Sequence, residues 1–343
     1  MNIEKELFGT LPGGKEVHRY TLKNDKGMEV DVITYGAIVS AIRIPGRNNE
    51  PGDVVLGFDT FEGYLGDHPY FGVVAGRVCN RVGNARFKLD GKIFSISANE
   101  GANQLHGGVQ GFDKRLWTAS TLKNPEQVSL LLGYESQDGE EGYPGNLLVE
   151  IEYSLNDQNE LGIRYRAKTD KPTHVNLTNH SYFNLNNCMG NVYDYELFID
   201  SEAVCELDEE SIPTGKLVQV EDTPYDFRLS ASIGEHIAET GMGYDINYVL
   251  GDQSRELTRV AAMHDPASGR IMEVLTTLPG IQLYTSNYID KIKGKAGLLY
   301  EKHCAVCLET QYFPDSANQP SFPSTVLRPG ETFDELTVYR FSR

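Results

Sequence analysis

Residues 300–314, YEKHCAVCLETQYFP, run an apolar stretch at 305–308 directly into a carboxylate, Glu309. Read as a strand, whose side chains alternate between two faces, this segment puts Ala305, Cys307, Glu309 and Gln311 on one of them. A carboxylate in such surroundings costs desolvation energy unless it is hydrogen-bonded or used, which makes Glu309 a candidate general base; a structural ion pair is the alternative. Residues 175–185, VNLTNHSYFNL, read the same way, place Asn176, Thr178, His180 and Tyr182 on one face. That combination suits a polar pocket, or an exposed face with a satisfied histidine. In NQLHGGVQGF (103–112), His106 precedes Gly107-Gly108, as a turn that lets backbone and imidazole approach a ligand would require. GRVCNRVG (76–83) groups Arg77, Asn80 and Arg81, and a guanidinium suits hydroxyl or carboxylate recognition. Asp245 in GMGYDINY and Gln282 in PGIQLYTSN stand near aromatic rings. Amide and carboxylate groups beside rings are the ingredients of a sugar site, because hydroxyls need donors and acceptors and the C–H face needs a ring.

Strands are the elements expected to position these groups. Short segments rich in Val, Ile, Tyr, Phe and Thr, bounded by Gly, Asn and Asp, recur along the chain. Residues 86–96 turn at Asp90-Gly91, residues 150–168 at 156–160, and residues 259–276 at 266–269. Helical periodicity is scarce, and the spacing of Ile233, Ile237 and Ala238 predicts one helix over 230–240. With no linker, charge block or fixed-period repeat, residues 1–343 are expected to form one large all-β domain, an antiparallel β-sandwich with few short helices.

The 49 acidic residues against 31 basic ones leave a formal charge of −18, which repels phosphate backbones and anionic lipid surfaces. Nucleic acid and membranes are therefore not expected partners. Neither a signal-peptide-like start nor a membrane-length apolar run occurs, so a cytoplasmic location is expected. The cysteines at 79, 188, 205, 304 and 307 are odd in number and irregular in spacing, which argues against a disulfide framework. Cys304 and Cys307 form a CxxC, but residues three apart on a strand point to opposite faces, so both are expected to be structural. Phosphate-loop, HExxH, GxSxG and dinucleotide fingerprints are absent from the sequence.

Taken together, the chain resembles the galactose mutarotase (aldose 1-epimerase) family. The resemblance starts at FGTLPGG, runs through HPYFGVVAGRVCNRVGNARF, NQLHGG, NLTNHSYFNL and LETQYFPDSANQP, and closes on RPGETFDELTVYRFS. It implies a large antiparallel β-sandwich that interconverts the α and β anomers of galactose, glucose and related aldoses. On the matching motifs it implies Glu309 as general base, His180 as general acid and His106 as the second active-site histidine. Asn80, Arg81, Asp245 and Gln282 fall on residues that hold sugar hydroxyls. Cys79, where the family usually has Ala, and Ile246, where His is common, depart from the pattern. Ring opening needs a base at the anomeric hydroxyl and an acid at the ring oxygen. An ionised glutamate and a histidine held protonated by a neighbouring carboxylate would supply them. Neither a metal nor an organic cofactor is expected, since neither hydride nor phosphate moves, and the chain is expected to act as a monomer or homodimer.

Three other readings compete. Asp245 and Glu309 could be the paired carboxylates of a glycoside hydrolase. The scaffold could bind sugar without turning it over. His106 and His180 could be metal ligands, although they are far apart in sequence and lack a close partner.

Overall fold

A computed structural model of the chain describes residues 1–46, 51–251 and 255–343. Antiparallel strands dominate it. A nine-stranded sheet runs in the order Thr118–Lys123, Gln127–Ser136, Leu147–Asn156, Glu160–Thr169, Phe333–Ser342, Ile271–Thr276, Thr258–His264, Glu196–Ile199, Ala231–Ser232. A five-stranded meander, Asn2–Thr10 to Pro51–Asp53, forms from the N-terminal residues. A second five-stranded sheet is ordered Pro213–Gln219, Ala203–Leu207, Asp245–Val249, Gly280–Tyr284, Cys307–Gln311. One continuous core joins the three: Val30 and Ile42 from the meander, Ile151 and Ile163 from the large sheet, and Ile281, Leu283 and Leu308 from the third. The all-β sandwich expected from the strand pattern is thus the observed fold. None of the described helices is long and apolar enough to cross a membrane.

Alternation explains how one sheet serves both core and site. In Leu147–Asn156 the even spacing of Leu147, Val149, Ile151, Tyr153 and Leu155 buries one face and leaves the other partly wet. In the third sheet the same period sends Ile246, Tyr248, Ile281, Leu283 and Leu308 into the core. The residues between them, among them Asp245, Gln282 and Glu309, face the other way. The hairpins turn where the sequence places them. Asp90 (φ 48°) and Gly91 (φ 82°) link Arg86–Leu89 to Lys92–Ser95, Asn159 (φ 57°) precedes Glu160–Thr169, and Gly269 (φ 71°) lies between Thr258–His264 and Ile271–Thr276.

Two expected elements come out shorter. The helix over 230–240 is a single α-turn, Ile233–His236, followed by a 3₁₀ turn, Ile237–Thr240. Ala231 and Ser232 are taken by pairing with Leu197 and Glu196, Gly234 disfavours the helix, and Gly241 at φ 80° ends it. The strand over 175–185 is only Thr178–Asn179, paired with Val74–Ala75. Isolated bridges, Val78 with Asn176 and Phe183 with Val55 and Val306, and asparagine side chains continue the pairing around it. Asn176 Nδ2 donates to the Tyr312 carbonyl at 3.0 Å while its Oδ1 accepts the Tyr312 N–H at 2.9 Å, and Asn179 Nδ2 donates to the Gly72 carbonyl at 2.8 Å. Asn176 and Thr178 consequently fill the interior, and only His180 and Tyr182 of that expected face reach the cleft.

Candidate active site

Three neighbouring strands carry the acidic and amide groups. Gln282 pairs directly with both Asn247 and Glu309, and Tyr284 with both Asp245 and Cys307, so these side chains project from one sheet face. Gln282 Nε2 donates to Asp245 Oδ1 at 2.7 Å, and Gln311 Nε2 donates to Asn247 Oδ1 at 3.1 Å and Gln282 Oε1 at 3.4 Å. Below them the Cys79 thiol donates to Gln311 Oε1 at 3.3 Å, so the departure at Cys79 adds a hydrogen bond to the floor. All five cysteines are free and buried, in line with structural thiols.

The opposite wall comes from the pairing of Arg81–Val82 with Gln104–Leu105. It brings Asn80 and His106 together: the Asn80 N–H donates to His106 Nδ1 at 3.2 Å, and the His106 N–H donates to the Asn80 carbonyl at 3.0 Å. Because Nδ1 accepts, the ring proton of neutral His106 lies on Nε2. Gly107 (φ 92°) lets this turn close, since a Cβ there would stand 1.8 Å from the Gly76 carbonyl oxygen. Arg77 does not join Asn80 and Arg81. Its guanidinium turns inward to Ser136 and to the carbonyls of Pro144, Gly145 and Gln137.

A cleft of about 160 Å³ opens between these walls, and Asn80, Arg81, His106, His180, Asp245, Gln282 and Glu309 all line it. At its floor His180 Nε2 and Glu309 Oε1, both buried, are 3.7 Å apart. The other glutamate oxygen, Oε2, is buried without a hydrogen-bond partner among the described residues. The His180 ring lies near-parallel to Tyr182, centroids 4.9 Å apart, and to Tyr70 at 6.1 Å. Sequence reasoning missed several cleft residues. Glu100 grips Arg81 with two hydrogen bonds, 2.7 Å to Nε and 2.9 Å to Nη2, and Tyr70, Tyr284 and the exposed Tyr288 form an aromatic rim. Of these only the rings had a signal, as strand-forming residues in aromatic-rich segments.

Burial dominates the electrostatics. It pushes the Glu309 carboxyl well above its ordinary range, reinforced by Asp245 and opposed by Arg81. Burial also drives the imidazoles down, His180 to about 3 and His106 well below its ordinary value, the latter helped by His180 and Arg81. The expected picture of an ionised glutamate holding a charged histidine is thereby modified. Burial disfavours the charged form of both groups, which stand 3.7 Å apart. Asp245, open to the cleft but surrounded by protein, is raised by burial and pulled back by Arg81 and Gln282.

The one group of metal-ligand types that converges among the described residues is His180, Cys307 and Glu309, with ligand atoms within 4.8 Å of one another. His106 is not part of it, and spacing in the sequence could not have revealed it. A cation there would need the thiolate, whereas burial and the Glu309 charge hold the Cys307 thiol protonated.

An antiparallel β-sandwich with a buried carboxylate and imidazole at the floor of a small, tyrosine-rimmed cleft lined by amide, carboxylate and guanidinium groups falls in the class of carbohydrate-active sandwich proteins. The comparisons narrow this. A profile of the family described as Aldose 1-epimerase matches residues 18–340, and the chain belongs to that family. It is 45% identical to the galactose mutarotase of Bos taurus over 346 residues, covering 100% of this chain and 99% of the relative. The aldose 1-epimerase of Escherichia coli K12 is 35% identical, with 98% of each chain covered. Among solved structures, an aldose epimerase homologue from C. elegans superimposes with a TM-score of 0.87 at 30% identity, covering 94% of this chain and 98% of that one.

Proposed function

We propose that this chain interconverts the α and β anomers of galactose, glucose and related aldoses, with Glu309 as base and His180 as acid. The observation that carries the reading is their 3.7 Å approach at the floor of the cleft. Glu309 takes the proton from the anomeric hydroxyl as the C1–O5 bond breaks, and His180 delivers a proton to the ring oxygen. The open-chain aldehyde turns about C1–C2, the two groups exchange roles, and the ring closes on the other face. One proton enters and one leaves, so the pair ends each cycle as it began.

The remaining side chains hold the sugar. Arg81, oriented by Glu100, and Asn80, Asp245 and Gln282 offer donors and acceptors to its hydroxyls. His106 presents its Nε2–H beside His180, the ring centroids 5.0 Å apart, and serves as the second donor at the reacting end. Tyr288, stacked on Tyr284, gives the C–H face a surface at the mouth. The same reading takes residues 1–343 as one domain, since the site draws on residues from 80 to 309 and the core spans all three sheets. Five free thiols fit a reducing, cytoplasmic setting, and the acidic charge fits a neutral sugar acted on by a monomer or homodimer without nucleic-acid or membrane partners.

Polarimetry on freshly dissolved α-galactose and α-glucose tests this. Catalytic amounts of protein should speed the approach to equilibrium rotation without altering its end point. No acceleration of either sugar, or release of reducing sugar from a glycoside, would overturn the assignment.

A further inference from the structure

Glu100 and Arg81 are locked together on one wall of the cleft. Glu100 opens a tight turn in which its N–H donates to the Asn103 carbonyl at 3.1 Å and its carbonyl accepts the Asn103 N–H at 2.9 Å, with Gly101 at φ 59° between them. The chain then enters Gln104–Leu105, which pairs with Arg81–Val82, so turn and pairing together set the carboxylate against the guanidinium. We propose that Glu100 is a specificity-determining residue: it makes Arg81 a hydroxyl donor in place of an anion receptor, so that the cleft takes neutral aldoses and rejects those carrying a carboxylate or phosphate. This rests on the reading of the cleft as an aldose site given above.

An unpaired arginine in a cleft is an anion receptor, because its planar fork matches a carboxylate or phosphate bidentately. Here the fork is already filled. Glu100 Oε2 accepts from Nε at 2.7 Å and Oε1 from Nη2 at 2.9 Å, which occupies the edge of the guanidinium that a ligand carboxylate would take. The N–H groups of Nη1 can still donate to uncharged hydroxyls. The charge balance points the same way. Among the described residues lining the cleft, Arg81 is the one permanent cation, and it stands with Glu100, Asp245 and Glu309. Burial drives His106 and His180 down, so neither ring adds positive charge at neutral pH. Glu100 and Asp245 alone outnumber the cation, before Glu309 is counted. Without the Glu100 charge, Arg81 would balance Asp245 and its fork would be free for an anionic substituent. At the effective dielectric of a part-exposed cleft, a like charge about 6 Å away weakens binding of such a sugar by about 10-fold.

Galacturonate keeps the ring hydroxyls and free anomeric centre of galactose and carries a carboxylate at C6 in place of CH2OH, so the change in the ratio of the two dissociation constants between variants isolates the charge. Ligand-observed NMR titration reads both constants. The parent should bind galacturonate at least about 10-fold more weakly than galactose. In Glu100→Gln the two constants should move in opposite directions, galactose weaker and galacturonate tighter, narrowing the ratio by about 10-fold. Glu100→Asp, which keeps the charge but shortens the reach, should hold the ratio within about threefold of the parent. Glu126→Gln, which removes an exposed acid outside the cleft, should leave it unchanged. Both sugars weakening together in Glu100→Gln would show that Glu100 only orients Arg81 and would overturn the proposal. So would equal affinities in the parent, a collapse of the ratio in Glu100→Asp, or an equal narrowing in Glu126→Gln. Binding needs no turnover, so a protein that binds galactose without equilibrating its anomers would refute the function while these ratios still decide the role of Glu100.

Discussion

Replacing Glu309 with Gln separates chemistry from structure at the centre of the cleft. The amide keeps the size of the side chain and an oxygen near His180 Nε2, 3.7 Å from the present carboxylate, but cannot take a proton. A general base is worth about 10² to 10⁴ in rate, roughly 3 to 5 kcal/mol of barrier, and kcat for anomer equilibration should fall by that factor. Stability should move the other way. The Glu309 carboxyl is raised by burial, and a group whose folded pKa lies above its unfolded one contributes stability at low pH that is lost as pH rises through the folded value. The neutral amide escapes that loss. The variant should therefore have a Tm no lower than the parent at neutral pH, and a relative gain that grows as the solution is made more alkaline. Polarimetry and thermal unfolding on one preparation read both. A near-parental kcat would refute the base assignment, and parallel losses of kcat and Tm would show that the carboxylate is structural.

Two further outcomes follow from the same geometry. Arg81→Ala removes charge-assisted donors worth about 1.5 to 3 kcal/mol, so KM should rise about 10- to 100-fold while kcat changes only a few-fold; Glu100→Gln, which loosens the arginine, should move KM in the same direction by less, and an unchanged KM in both would discount that wall. His174 is buried against Phe87, bonded through Nδ1 to Thr325, and lowered by burial from 6.5 to about 4. A histidine depressed in this way favours the folded state above its unfolded pKa and loses that advantage as pH falls towards the folded one. Lowering pH from about 7 to about 5 should therefore cost about 2 kcal/mol through this residue, seen as a stability gap between parent and His174→Gln that shrinks by that amount in urea titrations, and a pH-independent gap would contradict it.

Much of the site was readable because strand alternation is a local property. Glu309, Gln282 and Asp245 each lie on one face of a regular strand, and the apolar residues flanking them identify the opposite face as core. His106 was marked by the glycines that its turn requires. The period-two reading failed at residues 175–185, where a regular strand gives way to short bridges and asparagine amides bond to the backbone of Tyr312 and Gly72, so Asn176 and Thr178 are buried in the interior while His180 still reaches the cleft. Arg77 was grouped with Arg81 by proximity in sequence, yet its guanidinium serves the carbonyls of the 136–145 segment. Glu100 and Tyr70 are defined by what they touch across long sequence separations, and no local pattern distinguishes a carboxylate that grips Arg81 from a solvated one.

The central claim is that Glu309 and His180 act as one unit, base and acid of the same transfer, and a double-mutant cycle in kcat tests it. Glu309→Gln and His180→Asn should each lower the rate by at least about 100-fold, and the double variant should be little slower than the slower single one, because either change alone disables the shared transfer. A double variant whose loss is the full product of the two single losses would contradict the account.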